Sequence, residues 1–167
     1  MKLLAPVELE RPENRLNDAK CDPARRLWGG TMAPERTPGR GALYRLDADL
    51  ALTRVLGGVT LSNGLGWSPD GTRMYFVDSV PRTVDVLDVD LETGMASGRR
   101  RLIDVPAELG SPDGRLSGDR ARCTATPRTA SSSKSSRCPI VTSPPPLRMW
   151  LFRPVFANDC ADSRTWP

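Results

Sequence analysis

A repeat with a period of 46 residues is the feature that most limits how this chain can fold. Asn17 and Asn63 begin similar segments, and Pro23 and Pro69 align at the same offset. A third segment starts around Asp113, 50 residues after Asn63. Units of about 40 to 50 residues, each with roughly four short strands, are typical of β-propeller blades. The sequence therefore predicts an all-β fold made of repeated small sheets.

The clearest unit begins with a β-hairpin in residues 61–79, LSNGLGWSPDGTRMYFVDS. Leu65, Trp67 and residues 74–77 are aromatic, branched or other large apolar types within the predicted strands 64–68 and 74–78, and the Ser-Pro-Asp-Gly turn joins these two strands. Asn63 places a polar side chain at the start of a strand that should otherwise be apolar. Such a residue is a candidate for a functional role.

Strands are predicted throughout the first two units. They lie at 16–21, 27–31, 42–47 and 53–56 in the first unit, and at 64–68, 74–78, 83–90 and 99–105 in the second. The 34–41 loop is longer than a hairpin needs, and such loops often carry binding residues. The third unit begins at 111, but the strand pattern ends after Gly114.

The composition changes at the same point. Residues 1–114 have a net charge of −2, whereas residues 115–167 have a net charge of +6 and contain serine and proline runs. Such a segment buries too little apolar surface to offset its ordering entropy. We therefore predict a partial propeller in 1–114 and a low-complexity, irregular tail in 115–167. The tail is either disordered or the product of a shifted reading frame, which translation of the other two frames would test.

Several classes of chemistry are excluded by composition. The chain has no histidine, so Ser-His-Asp and Cys-His nucleophiles and histidine metal sites are absent. The four cysteines have no CxxC spacing, and their positions support neither a zinc cluster nor a disulfide framework. No apolar run is long enough for a membrane helix, and the N-terminal apolar stretch is too short for a signal peptide, so we expect a cytoplasmic protein. Carboxylates, amides and arginines remain as candidate functional groups.

The motifs together resemble one known family. They are RLNDAKCDP at 15–23, GTMA at 30–33, GALY at 41–44, SNGL at 62–65 and PDG at 112–114. Over about residues 7–114 the chain resembles the regucalcin (senescence marker protein), gluconolactonase and luciferin-regenerating-enzyme family. The resemblance implies a six-bladed β-propeller that hydrolyses sugar or other lactones with a bound divalent cation, often calcium. This chain would hold about two blades and the start of a third.

The resemblance also implies a set of site residues. Asn63 and Asp113 match metal ligands, and Arg15, Asn17 and Glu35 match substrate contacts. The repeat supports this assignment, since polar residues at equivalent strand starts converge on one mouth of a propeller channel. Amide and carboxylate oxygens suit calcium or magnesium better than zinc, so Ca2+ is the expected cation, with Zn2+, Mg2+ or Mn2+ as alternatives. Asp113 is also the candidate catalytic base, taking a proton from water.

Each candidate has a simpler structural explanation. Asn63 and Asp113 both lie in short sequences that form ordinary turns. Arg15 and Asn17 could be solvated residues at a strand end. Glu35 lies in a loop that tolerates any polar residue. These alternatives stay open at the level of sequence.

The expected function is divalent-metal-dependent hydrolysis of a sugar lactone, impaired or lost because several blades and an acidic metal ligand of the family pattern are missing. The alternative is a non-catalytic calcium-binding propeller fragment or assembly module. The expected partner is a small sugar lactone, not a membrane. Nucleic acid is also not expected, because the basic tail has scattered charges and no aromatic platform. The preferred lactone and the oligomeric state are not indicated.

Overall fold

The structure, a computed structural model, describes residues 4–114, 123–126 and 136–137. These residues form eleven β-strands and one three-residue 3-10 helix, Ala107–Leu109. The strands are β1 Arg15–Cys21, β2 Leu27–Met32, β3 Gly41–Leu46, β4 Leu52–Val59, β5 Ser62–Trp67, β6 Arg73–Asp78, β7 Thr83–Val89, β8 Ala96–Asp104, β9 Ser111–Gly114, β10 Cys123–Thr126 and β11 Ser136–Arg137. No helix in the described part of the chain is long and apolar enough to cross a membrane.

The strands form three antiparallel sheets that follow one another along the chain. The first sheet has the order β1-β2-β3-β4, the second has the order β5-β6-β7-β8, and the third contains β9, β10 and β11. Each four-stranded sheet is a simple meander, as expected for a propeller blade. The predicted all-β propeller fragment, with two blades and the start of a third, is confirmed.

The predicted strands agree with the observed ones in order and nearly in position. The main differences are β4 and β8, which are longer than predicted because each continues through an irregularity in its pairing with the neighbouring strand. β10 and β11 lie inside the segment predicted to be irregular, and β10 pairs with β9. The division of the chain at residue 114 stays a prediction. Cys21 is disulfide-bonded, which the cysteine spacing did not predict.

The main core lies between the first and second sheets. Trp28 of the first sheet and Trp67 of the second meet edge to face with their ring centroids 5.8 Å apart, a favourable aromatic geometry. The core cluster comprises Trp28, Leu43, Val59, Leu65, Trp67, Met74, Phe76, Leu87 and Val89. Because successive residues of a strand face opposite sides, β6 turns Met74 and Phe76 to this core and Val77 to a second cluster with Val84 and Val105. The second sheet is thus apolar on both faces, as a blade with neighbours must be.

A buried carboxylate fixes the link between the first two sheets. Asp78, at the end of β6, is only 2% exposed and accepts hydrogen bonds from the backbone N–H groups of Thr60 and Leu61 at 2.9 and 2.8 Å. The backbone N–H of Ser79 donates in turn to the carbonyl of Leu61 at 3.1 Å. These bonds set the direction in which the chain leaves β4 and enters β5, and so they position Asn63.

The segment before β1 is held to the first sheet by a second buried carboxylate. Glu8 accepts hydrogen bonds from the Tyr44 hydroxyl at 3.0 Å and from the Asn14 side-chain amide at 2.8 Å. Burial of the phenol, together with the hydrogen bond to Glu8, raises the pKa of Tyr44 to about 12. Tyr44 therefore stays a neutral donor throughout the physiological pH range.

Candidate functional site

Two asparagines, one from each complete sheet, meet where the first strands of those sheets run side by side. Asn17 Nδ2 donates to the Ser62 carbonyl at 2.7 Å and lies 3.3 Å from Asn63 Oδ1. Both asparagines lie where strand pairing is irregular, between Leu16 and Asp18 in β1 and between Ser62 and Leu65 in β5. Such bulges re-aim side chains and are frequent next to active sites. The repeat thus places equivalent side chains in direct contact.

A hydrogen-bonded chain continues from Asn63 to the third sheet. Asn63 Nδ2 donates to Ser79 Oγ at 3.0 Å, and the Ser79 hydroxyl donates to the carbonyl of Pro112. Because Ser79 uses its hydrogen on Pro112, it can only accept from Asn63, and this defines the orientation of the Asn63 amide. Asn63 Oδ1 is therefore the atom left for Asn17 and for a ligand.

Asn63 and Asp113 line one small cavity of about 130 Å³. Its walls come from β5, the turn after β6, β9 and the loop after β2, and they comprise Arg36, Leu61, Asn63, Ser79, Val80, Ser111, Pro112 and Asp113. The volume corresponds to roughly four water molecules. A small molecule entering from solvent would reach the amide and the carboxylate together.

A further carboxylate, Asp18, lies close enough to Asp113 to feel its negative charge. Burial raises the pKa of Asp18, and the negative charge of Asp113 raises it further, against a lowering by the backbone N–H of Ala19 and by Lys20. The first and third sheets thus bring two carboxylates into one electrostatic environment. A cation bound there would relieve the repulsion between them.

Arg15 and Glu35, the other two predicted substrate contacts, are placed differently. Arg15 lines a separate cavity of about 370 Å³ formed with the segment before β1 and with Thr31. Glu35 is exposed in the loop after β2, and it is the next residue, Arg36, that lines the cavity of Asn63 and Asp113. The substrate-binding roles of Arg15 and Glu35 stay predictions.

Glycines allow close packing of β5 against strands of the neighbouring sheets. A Cβ added to Gly64 would meet Gly114 Cα at 2.8 Å, and one added to Gly30 would overlap the side chain of Ser62. Glycine is therefore required on both sides of β5 if the strands are to keep their spacing. This spacing accompanies the contact of Asn17 with Asn63 and the cavity that Asn63 shares with Asp113.

Sequence reasoning missed three residues of the site, namely Asp18, Arg36 and Ser79. The repeat could not indicate Asp18, because the equivalent positions in the next two units hold Gly64 and Gly114. Ser79 was visible only as the last residue of the hairpin segment. Arg36 lies in the long loop that was predicted to carry a binding residue, one position after Glu35.

The donor atoms present suit part of a coordination sphere for a hard cation. Asn63 and Asp113 offer an amide oxygen and carboxylate oxygens at one cavity, which are the ligand types preferred by Ca2+ and Mg2+. Within the described residues, no group of three or more aspartate, glutamate or cysteine side chains could hold a metal by itself. Any cation here would need further ligands such as water.

Comparison with known protein families assigns the chain to one of them. A family model described as the SMP-30/Gluconolactonase/LRE-like region matches residues 1–124. The chain belongs to this family. Regucalcin from Sus scrofa is 42% identical over 117 residues, which cover 67% of this chain and 39% of that protein. The chain therefore spans about two fifths of the length of its curated relatives, and the resemblance found in the sequence motifs is confirmed.

Solved structures of the family share the fold. A luciferin-regenerating enzyme superposes with a TM-score of 0.62 at 36% identity, covering 72% of this chain and 41% of that enzyme. A regucalcin from Agrobacterium tumefaciens, described as a calcium-binding protein, superposes with a TM-score of 0.64 at 30% identity, covering 73% of this chain and 41% of that protein. The first two sheets thus have the family architecture.

Proposed function

We propose that this chain carries part of a divalent-cation-dependent site that hydrolyses sugar lactones. The observation that supports this most directly is the shared cavity of Asn63 and Asp113, with Asn17 hydrogen-bonded to Asn63. Membership of the SMP-30/gluconolactonase family supports lactone as the substrate class. The proposal extends to the whole-length protein, of which this chain would supply one side of the channel.

In this proposal Asn63 Oδ1 and the Asp113 carboxylate hold the cation, most suitably Ca2+. When bound, a divalent cation polarises a carbonyl oxygen and lowers the pKa of bound water. The hydrogen bond to Ser79 commits the Asn63 N–H₂ group and leaves Asn63 Oδ1 as its acceptor atom. The raised pKa of Asp18 adds support, because a carboxylate disfavoured by burial and by Asp113 would gain from a nearby positive charge.

The chain's own groups account for the proton transfer and for substrate orientation. Asp113 is exposed, so its carboxylate can take a proton from the water that attacks the lactone carbonyl. As water adds, the bond from the carbonyl carbon to the ring oxygen breaks, and the ring oxygen takes up the proton held by Asp113 and becomes a hydroxyl of the acid product. Asn17 uses its amide N–H on Ser62 and Asn63, so its Oδ1 can accept a hydrogen bond from a substrate hydroxyl.

The test is acid release from glucono-δ-lactone at constant pH with the 167-residue chain, with and without Ca2+. We expect release above the buffer rate only with the cation, and we expect Asp113→Asn to reduce it about a hundredfold or more. Asp104→Asn is the matched control, because Asp104 is an exposed carboxylate at the end of β8. Release at the buffer rate under every condition would contradict a lactonase function for this chain.

A non-catalytic calcium-binding fragment or assembly module is the second candidate. It is supported by the extent of the match, which covers only 39% of the Sus scrofa protein. Calorimetric titration with Ca2+ separates the two candidates, since binding without hydrolysis would support the module. The predicted cytoplasmic location and the absence of nucleic-acid and membrane partners stay predictions.

A further inference from the structure

Arg36 is the one positively charged side chain among the described residues that line the Asn63 and Asp113 cavity. In the described part of the chain its guanidinium has no hydrogen bond or ion pair, while its backbone N–H closes a turn onto the carbonyl of Ala33 at 2.9 Å. Its φ of 54° is in the left-handed region. An uncommitted guanidinium at a polar cavity is a candidate anion-binding group.

The small cavity places Arg36 close to the proposed reaction centre. Arg36 and Asp113 line the same cavity, whose volume of about 130 Å³ is smaller than a whole sugar. One bound sugar lactone can therefore place its carbonyl at Asp113 and another of its groups at Arg36. A guanidinium binds carboxylates through two parallel hydrogen bonds, and neutral hydroxyls less strongly. Asp113 and Asp18 would repel an anion elsewhere in this region, so Arg36 marks the position where a negative group is tolerated.

We infer that Arg36 binds a carboxylate of the substrate, and that the site prefers lactones of sugar dicarboxylic acids to neutral aldonolactones. The inference rests on the proposed lactonase function, because it assigns the substrate class of that same site. It concerns a residue that recognises substrate and does not take part in the proton transfer.

The test compares binding of glucarate and gluconate to the 167-residue chain by calorimetry with Ca2+ present. Both acids carry the carboxylate that forms from the lactone carbonyl, which the proposal places at the cation, and only glucarate carries a second carboxylate for Arg36. Arg36→Gln removes the charge, and we expect it to weaken glucarate binding about ten- to hundredfold while changing gluconate binding no more than about threefold. Arg36→Lys keeps the charge but loses the bidentate hydrogen bonding of the guanidinium, so we expect an intermediate loss of glucarate affinity.

Arg25→Gln is the matched control. Arg25 has the same left-handed backbone, with φ of 66°, and the same type of turn, in which its N–H donates to the carbonyl of Asp22 at 2.9 Å. It is exposed and does not line the cavity. Its replacement lowers the net charge equally, so it should leave the binding of both acids unchanged.

The outcomes separate this inference from the lactonase proposal. Equal glucarate and gluconate affinities in the unmodified chain, or equal losses with Arg36→Gln and Arg25→Gln, would overturn the role of Arg36 even if glucono-δ-lactone is hydrolysed. Selective loss of glucarate binding with Arg36→Gln, in a chain that hydrolyses no lactone, would support the anion site and overturn the lactonase proposal. Binding of neither acid would overturn the inference.

Discussion

Removing the carboxylate of Asp78 should destabilise the fold more than removing any exposed carboxylate. Asp78 accepts two buried hydrogen bonds, from the backbone N–H groups of Thr60 and Leu61. A hydrogen bond to a charged group contributes about 1.5 to 3 kcal/mol, so Asp78→Ala should lower the free energy of unfolding by about 3 to 6 kcal/mol. That loss is large beside the roughly 5 to 15 kcal/mol that stabilises a typical domain.

Asp78→Asn gives a graded version of the same test. The amide keeps one acceptor oxygen but turns an N–H₂ group toward the second backbone donor, so about half of the loss is expected, roughly 1.5 to 3 kcal/mol. Asp88→Asn is the control, because Asp88 pairs with Arg100 on the surface and its side chain is 53% exposed. An exposed ion pair of this kind contributes at most about 1 kcal/mol.

Urea unfolding followed by tryptophan fluorescence measures these differences, since Trp28 and Trp67 lie in the core between the two sheets. The midpoint should shift in the order Asp78→Ala, Asp78→Asn, Asp88→Asn, with the largest shift for alanine and an unchanged slope. If Asp78→Ala unfolded within about 1 kcal/mol of Asp88→Asn, the link between the sheets would not depend on this carboxylate, and our account of how Asn63 is positioned would be wrong.

Two further predictions concern packing and pH. Gly30→Ala places a methyl group onto Ser62 and should lower the free energy of unfolding, measured in urea, by about 1 to 3 kcal/mol. The control Gly57→Ala meets only the flexible end of the Arg54 side chain and should lower it less. Equal losses would contradict the close approach of β2 and β5. Because the folded-state pKa of Tyr44, about 12, exceeds its ordinary value of 10, the phenol's contribution to stability is complete below pH 10 and is lost as the pH rises through about 12. Ultraviolet titration of phenolate should show this late ionisation and its disappearance in Tyr44→Phe, and complete ionisation of both tyrosines near pH 10 would contradict it.

The architecture could be predicted because it is encoded locally. Alternation of apolar and polar residues and short turn sequences located all eight strands of the first two sheets within a few residues. The errors in β4 and β8 have a common cause, since both strands continue through irregular pairing that breaks the alternation. Gly98, with a φ of 60°, interrupts the pattern near the beginning of β8, so the sequence did not indicate where that strand starts.

The site was predictable only where it repeats. Asn17 and Asn63 stand out because they hold equivalent positions in successive units, and the structure brings them into contact. Arg36 and Ser79 lie outside the repeated strand starts, and their place at the cavity depends on how the second sheet packs against its neighbours. That packing is a tertiary property, which local patterns do not encode.

The residues that follow Asn17, Asn63 and Asp113 differ among the three units. In the second and third sheets this position holds Gly64 and Gly114, and a Cβ on Gly114 would meet Gly64 Cα at 2.5 Å, so no side chain fits there. Between the first and second sheets the close approach lies instead at Gly30 of β2. The equivalent position of the first sheet is therefore released from this packing constraint and can carry the carboxylate of Asp18. The proposed channel thus gains a negative charge beside Asp113 that neither of the following units could supply at the equivalent position.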